Sequence, residues 1–232
     1  MTRRQPPERR HRWIQAAAAA LLLAGCASGP PVPDWQLTAR SALEQSVAAY
    51  LRGDSRVAQQ DFDRARGEIA RTGRADLLAR AELLRCAARV ASLVFDPCEG
   101  LAPLRPDMAA PEQAYARYLS GTLAPEQAGL LPAAQRAVAA LITTGTTRGD
   151  DAAAALRQIA DPVSRLVGAG VLMQAGRASP AVIALAVDTA ADQGWRRPLL
   201  AWLGVQLRRA EQAGDSDSAE RLRRRVSRIQ SP

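Results

Sequence analysis

Three thiols, Cys26, Cys86 and Cys98, are the most reactive side chains in the sequence, and the other residue types limit what they can do. A thiol becomes a catalytic nucleophile when a neighbouring base or cation lowers its pKa, and histidine is the usual activator. The sequence holds one histidine, His11, and no lysine, so every other basic residue is arginine. Beyond His11, the commonest general base and the commonest metal ligand are therefore missing, as are a Schiff-base amine and the lysine of a phosphate-binding loop. Carboxylates remain. A paired-carboxylate site on a glycan needs two acids on facing elements, one of them with a raised pKa. Asp150-Asp151 and Asp188 with Asp192 instead stand where helix starts and polar faces put them. No residue set has catalytic or metal-ligand spacing, and no cofactor is implied. The expectation is a protein that binds rather than catalyses.

The first thirteen residues carry Arg3, Arg4, Arg9, Arg10 and Arg12 against Glu8, and an uncharged run from Ile14 to Ala24 follows. That run is shorter than the ~18–20 apolar residues of a spanning helix, so residues 1–25 read as a cleaved export signal. It closes with Leu23-Ala24-Gly25-Cys26, which resembles the lipobox of bacterial lipoproteins. The resemblance covers the leader alone. It implies cleavage between Gly25 and Cys26, a diacylglyceryl thioether on Cys26 and acylation of the new amino group. Several chains on one residue hold durably where one alone binds marginally. Ala27, in place of an aspartate after the cysteine, implies the periplasmic face of the outer membrane as the destination. The alternative is an ordinary secretory signal with an incidental cysteine. Arg3-Arg4 runs into Gln5-Pro6-Pro7, a poor twin-arginine motif, so the general secretory route is expected.

Beyond the leader, 26 arginines stand against 22 acidic residues, so much of the basic excess belongs to the signal and no nucleic-acid partner is expected. Residues 26–33 form a proline-rich tether able to stand the domain about 20 Å off the membrane. Residues 34–232 then read as one all-helical domain, alanine- and leucine-rich, without sustained period-2 alternation.

A first helix is expected from a cap at Asp34 to Gly53, with Trp35, Ala39, Leu43, Val47 and Tyr50 on one side. A second runs from Asp54 toward Gly73 with Val57, Ala58, Phe62 and Ala65 inward. A third places Leu77, Ala81, Leu84, Ala88, Ala91 and Phe95 on one side and Glu82, Arg85, Arg89 and Ser92 on the other, ending at Asp96-Pro97. Residues 96–110, with Pro97, Pro103 and Pro106, form the longest irregular loop. Short helices follow over 111–121 and 124–144, then a turn over 145–149. Further helices begin at Asp150, Asp161-Pro162, Ser179-Pro180, Pro198 and Asp215, about ten in all.

Gly53-Asp54, with Ala58, Phe62 and Ala65 after it, is similar to the second half of a tetratricopeptide repeat, where glycine and acid make the interhelical turn and small and aromatic residues let two helices close. Gly214-Asp215 with Ala219 repeats it. Gly149-Asp150 with Ala154, and Gly176 with Ala181 and Leu185, do so more loosely. The resemblance implies antiparallel helix pairs stacked as a solenoid, and an irregular helical bundle built from the same pairs is the alternative. Glycine followed by aspartate also serves simply as a helix stop and the next helix's cap.

Cys86 and Cys98, in an exported chain, favour one disulfide, with two buried free thiols as the alternative. A straight helix from Cys86 to Phe95 would rise about 13.5 Å, so the bridge requires the helix to end near Ser92 or to reverse sharply at Asp96-Pro97. In the last helix Arg221, Arg224, Arg225 and Arg228 face away from Leu222, Val226 and Ile229. They are candidate contacts for an anionic surface, or cations that suit a solvated helix C-terminus. Trp195 and Trp202 read as core. Together these features predict a lipid-anchored adaptor that binds a protein partner in envelope assembly or maintenance. The alternatives are a carboxylate-dependent cell-wall glycan enzyme and a carrier of a lipid or small apolar ligand.

Overall fold

Local signals start and stop most of the helices. Asp161, Ser179 and Asp215 each accept a hydrogen bond from the backbone N–H three residues on, satisfying a donor that the first turn of a helix leaves open. At the other ends, Gly53 and Gly214 adopt left-handed φ of 106° and 71°. The residue after each glycine bonds five residues back, Asp54 N to Ala49 O and Asp215 N to Ala210 O, both at 2.9 Å. The two turns predicted to be repeats are thus the same Schellman turn.

The computed structural model describes residues 32–144 and 149–231; Gly25, Cys26 and most of the tether lie outside the described residues. Among the described residues there are ten α-helices: α1 Asp34–Arg52, α2 Ser55–Ala70, α3 Ala75–Ala91, α4 Ala110–Leu119, α5 Ala133–Thr144, α6 Gly149–Arg157, α7 Pro162–Gln174, α8 Pro180–Asp192, α9 Arg196–Gln212 and α10 Ser216–Gln230. Two 3-10 segments, Glu99–Asp107 and Pro125–Leu130, lie on either side of α4. No strand occurs among the described residues, as the all-helical reading predicts.

Antiparallel neighbours α1/α2 and α9/α10 close against each other around small residues. Ala42, Ser46 and Ala49 of α1 are buried, and the Ser46 hydroxyl donates to Ala58 O of α2 at 2.7 Å. Ala58, Phe62 and Ala65 are buried as the repeat resemblance implies, and so is Ala219 of α10. Ala154, in one of the two looser copies, is exposed.

Helix α3 is the hub. It packs on α1, α2, α4, α7 and the first 3-10 segment, while α1 also meets α9. A solenoid unit touches only its neighbours, so contacts between elements this remote in sequence close the molecule into an irregular bundle of helix pairs. Gly170 of α7 permits the tightest crossing: a Cβ built there would stand 2.3 Å from Val90 O of α3. One main core spans α3 to α9, and a smaller cluster of Ala39, Phe62, Ile69 and Ala81 seals the N-terminal pair.

Several boundaries differ from expectation. Helix α3 ends at Ala91 because Leu93 turns left-handed at φ 59°, earlier than Asp96-Pro97. Its faces also do not divide as predicted. As a hub it is buried nearly all round, so Glu82 and Ser92 are buried with Ala81 and Ala88, while Phe95 is 38% exposed. Val57 likewise faces outward at 41% exposure. Residues 96–110 are irregular only at 96–98 and 108–109, since Glu99–Asp107 forms a 3-10 helix that takes in Pro103 and Pro106. Pro125 starts the other 3-10 segment rather than a long α-helix. Pro33 rather than Asp34 caps α1, and neither Asp34 nor Asp54 caps through its side chain. Pro198 lies inside the first turn of α9, which starts at Arg196. The 145–149 turn, Gly149 aside, lies outside the described residues.

Candidate functional site

The early end of α3 creates the most distinctive surface. With the chain reversed at Leu93, Val94 N bonds Arg89 O at 2.9 Å, and the return strand of loop brings Cys98 back to Cys86. Their Cα atoms are 6.0 Å apart, within the range a disulfide needs, and the two sulfurs are bonded. This is the early helix stop that the bridge requires. Trp202 of α9, fully buried, donates its indole N–H to Ala91 O at 3.1 Å and so satisfies a carbonyl that the end of α3 leaves open. Trp202 is core, as expected. Trp195 sits in the turn before α9, partly buried against the same cluster.

Between α3, the disulfide-tethered 3-10 segment, α4 and the end of α7 lies an open groove of about 890 Å³. Its floor is apolar, with Val90, Leu101, Met108 and Leu119 buried. Its rim carries Phe95, Arg89, Arg105 and Arg117 with Asp96 and Glu99. Arg89 pairs with Asp96, whereas Arg105 and Arg117 have no carboxylate partner among the described residues. Arg117 reaches only Gln127 Oε1, at 3.5 Å.

A second, smaller groove of about 350 Å³ opens between α1, α2, α3 and the start of α9. Arg85, Arg89 and Arg197 line it with Tyr50 and Ser55, and no carboxylate does. Arg197 Nε donates to Tyr50 O at 2.7 Å and its Nη2 to Ser55 Oγ at 2.6 Å, so this guanidinium holds the turn between α1 and α2 against α9. Burial raises the Tyr50 phenol pKa; the Arg197 and Arg89 charges pull it back down and the Asp96 charge raises it. Arg89 lines both grooves.

The other predicted sites fall elsewhere. Gly53, Asp54, Ala58, Phe62 and Ala65 build the α1/α2 pair, and Gly214, Asp215 and Ala219 the α9/α10 pair. Arg221, Arg224, Arg225 and Arg228 lie on α10, whose Leu222, Val226 and Ile229 pack on the main core. Arg221 bonds Ser218 Oγ, Arg224 pairs with Glu220 at 2.7 Å and Arg228 donates to Arg224 O. They form an outward face in which local partners already occupy three of the four.

Sequence reasoning missed two buried carboxylates. Glu112 pairs with Arg80 through Oε1 at 2.7 Å and keeps Oε2 buried without a hydrogen bond, while the buried Glu82 Oε2 stands 2.7 Å from Arg85 Nη2 as an ion pair without hydrogen-bond geometry. The Glu82–Arg85 spacing of three residues on a helix was a usable signal. Neither acid lines either groove. The grooves themselves were missed, because Phe95, Arg105 and Arg197 carry no local mark of their role. No family model, curated protein or solved structure matches the chain.

Proposed function

We propose that the protein is a lipid-anchored envelope adaptor whose larger groove takes a protein segment bearing acidic and apolar side chains. The observation that carries this reading is the rim of that groove. An exposed aromatic, Phe95, stands above a buried apolar floor beside Arg105 and Arg117, two guanidinia with no carboxylate of their own. Aromatic and arginine anchors beside an apolar floor are what binding hot spots are made of. The unpaired positive charges select acidic side chains as the complement. The disulfide supports the reading, because it holds the 3-10 wall in place before a partner arrives and so limits the ordering cost of binding. The lipobox resemblance at Leu23-Ala24-Gly25-Cys26 supplies the anchor in this reading, with the outer membrane's periplasmic face as the location. The residue inventory, poor in activated bases and nucleophiles, favours binding over chemistry.

The test places a photocrosslinking residue at Phe95, Arg105 or Gln230 in intact cells, with Cys26→Ser as a second variant. Protein crosslinks from 95 and 105 but not from 230, and release of Cys26→Ser from the membrane, are the expected outcome. Crosslinks from the groove to phospholipid alone would replace the adaptor by a lipid carrier. Undiminished membrane partitioning of Cys26→Ser would remove the anchor.

A further inference from the structure

We infer that the smaller groove, between α1, α2, α3 and α9, is a binding site for a small organic carboxylate. This site shares Arg89 alone with the larger groove and does not depend on the adaptor reading. Three guanidinia from two elements, Arg85 and Arg89 of α3 and Arg197 of α9, line a space of about 350 Å³ to which no carboxylate contributes. Two are already immobilised on aromatic faces: Arg85 lies over the Phe62 ring at 4.4 Å and Arg197 over the Tyr50 ring at 4.3 Å. A planar guanidinium fixed in this way keeps its edge donors for a second partner and loses little freedom on binding one.

The charge count selects the ligand. Arg85 is offset by Glu82 and Arg89 by Asp96, each behind the lining rather than in it. Arg197 spends two donors on neutral oxygens, Tyr50 O and Ser55 Oγ, and has no acidic partner among the described residues. Of the three lining guanidinia only Arg197 is thus without an acidic partner, Glu82 being shared by Arg85 and, at 4.0 Å, by Arg66 outside the lining. This one free charge suits a monoanionic carboxylate better than a doubly charged phosphate. Hydroxyl donors complete the cradle. The Tyr50 hydroxyl makes no hydrogen bond within the described residues, and Ser55 Oγ, which accepts from Arg197, keeps its own proton to donate. Val47, Ala58, Ala88 and Val94 supply an apolar wall for a short body behind the carboxylate. The charges of Arg197 and Arg89 each act on the Tyr50 oxygen more strongly than the opposing charge of Asp96, so an anion beside that hydroxyl gains on balance.

The experiment is isothermal titration of the purified full-length protein with butyrate, with its neutral isostere butyramide, and with inorganic phosphate. Butyrate is expected to bind one per chain, with butyramide and phosphate each weaker by about tenfold or more. Tyr50→Phe, which keeps the ring under Arg197, should weaken butyrate by about three- to tenfold with an unchanged melting temperature. Arg225→Gln, on the far helix α10, should leave it unchanged. Several results would overturn the site: no butyrate binding up to about 10 mM, equal binding of acid and amide, or loss of butyrate affinity in Arg225→Gln comparable to that in Tyr50→Phe. Phosphate binding more tightly than butyrate would overturn the ligand class.

Discussion

Replacing Gly170 by alanine tests whether the crossing of α7 over α3 is set by a missing side chain. The added Cβ would lie 2.3 Å from Val90 O, 2.9 Å from Val90 Cγ1 and 3.0 Å from Val90 C. Carbon and oxygen settle at roughly 3.3–3.6 Å, so the helices must separate by about 1 Å. The obstacle is backbone and cannot rotate away. The same Val90 carbonyl accepts from Leu93 N at 2.9 Å, so moving it disturbs the turn that launches the disulfide loop. Overpacking costs about 1–3 kcal/mol, here at the upper end, and alanine returns about 1 kcal/mol of helix propensity. The net expectation is a loss of about 2 kcal/mol, or about 4–8 °C in melting temperature for a chain of this size. Gly67→Ala supplies the opposite sign. Gly67 sits in the last turn of α2 with nothing within 4 Å of the built Cβ, so alanine there should raise stability, by at most about 1 kcal/mol. Thermal and urea melts of both variants, followed by circular dichroism, decide it. A Gly170→Ala protein that melts at or above the parent would refute the close-approach argument.

Three further expectations concern the same core. Reducing Cys86–Cys98, or replacing both by serine, should lower stability by up to about 3 kcal/mol, and denatured, non-reduced protein taken from cells should label at neither thiol. Trp202→Phe strands Ala91 O and leaves a gap in the core, so a loss of about 2–3 kcal/mol is expected in denaturant titration, and parental stability would show that bond to be idle. Burial pushes the Tyr115 phenol up to about 12 and that of Tyr118 well above its usual value, so the fold prefers both protonated. Their contribution is intact below about pH 10, where unfolded tyrosines begin to ionise, and is lost as pH rises through the folded-state values. Alkaline melts should fall over that range, and absorbance from more than one of the three tyrosines growing near pH 10 in the folded protein would contradict it.

The elements that could be read from sequence are those decided locally. Asp161, Ser179 and Asp215 announce helix starts because their side chains bond their own backbone, and Gly53 and Gly214 announce stops because the turn needs a left-handed residue. The cysteine pair was legible as a condition on where α3 ends, and Ala91 meets it. What was hidden depends on packing between remote segments. An alanine-rich helix shows its burial pattern weakly, so α3 gave no sign that its Glu82 side would be covered as completely as its Ala81 side. Leu93 stops that helix without glycine, proline or a cap residue to mark it. Phe95 counted as one more apolar step on a stripe, and only the reversal before it turns it outward. Arg197 is one of many arginines in the sequence until α9 meets α1.

That meeting has a kinetic side. The bonds from Arg197 to Tyr50 and Ser55 join residues 147 and 142 positions apart. Helices α1 and α2 are neighbours in the chain and can pair early, but their contact with α9 waits for a residue near the far end of the domain. Contacts of such separation pay loop-closure entropy before they return anything, and they slow folding. During synthesis from the N-terminus, the α1/α2 pair and the open face of α3 would therefore emerge first and stay incompletely covered until α9 follows. A chain truncated before Arg196 would leave that surface bare permanently, a hazard built into the order of its helices.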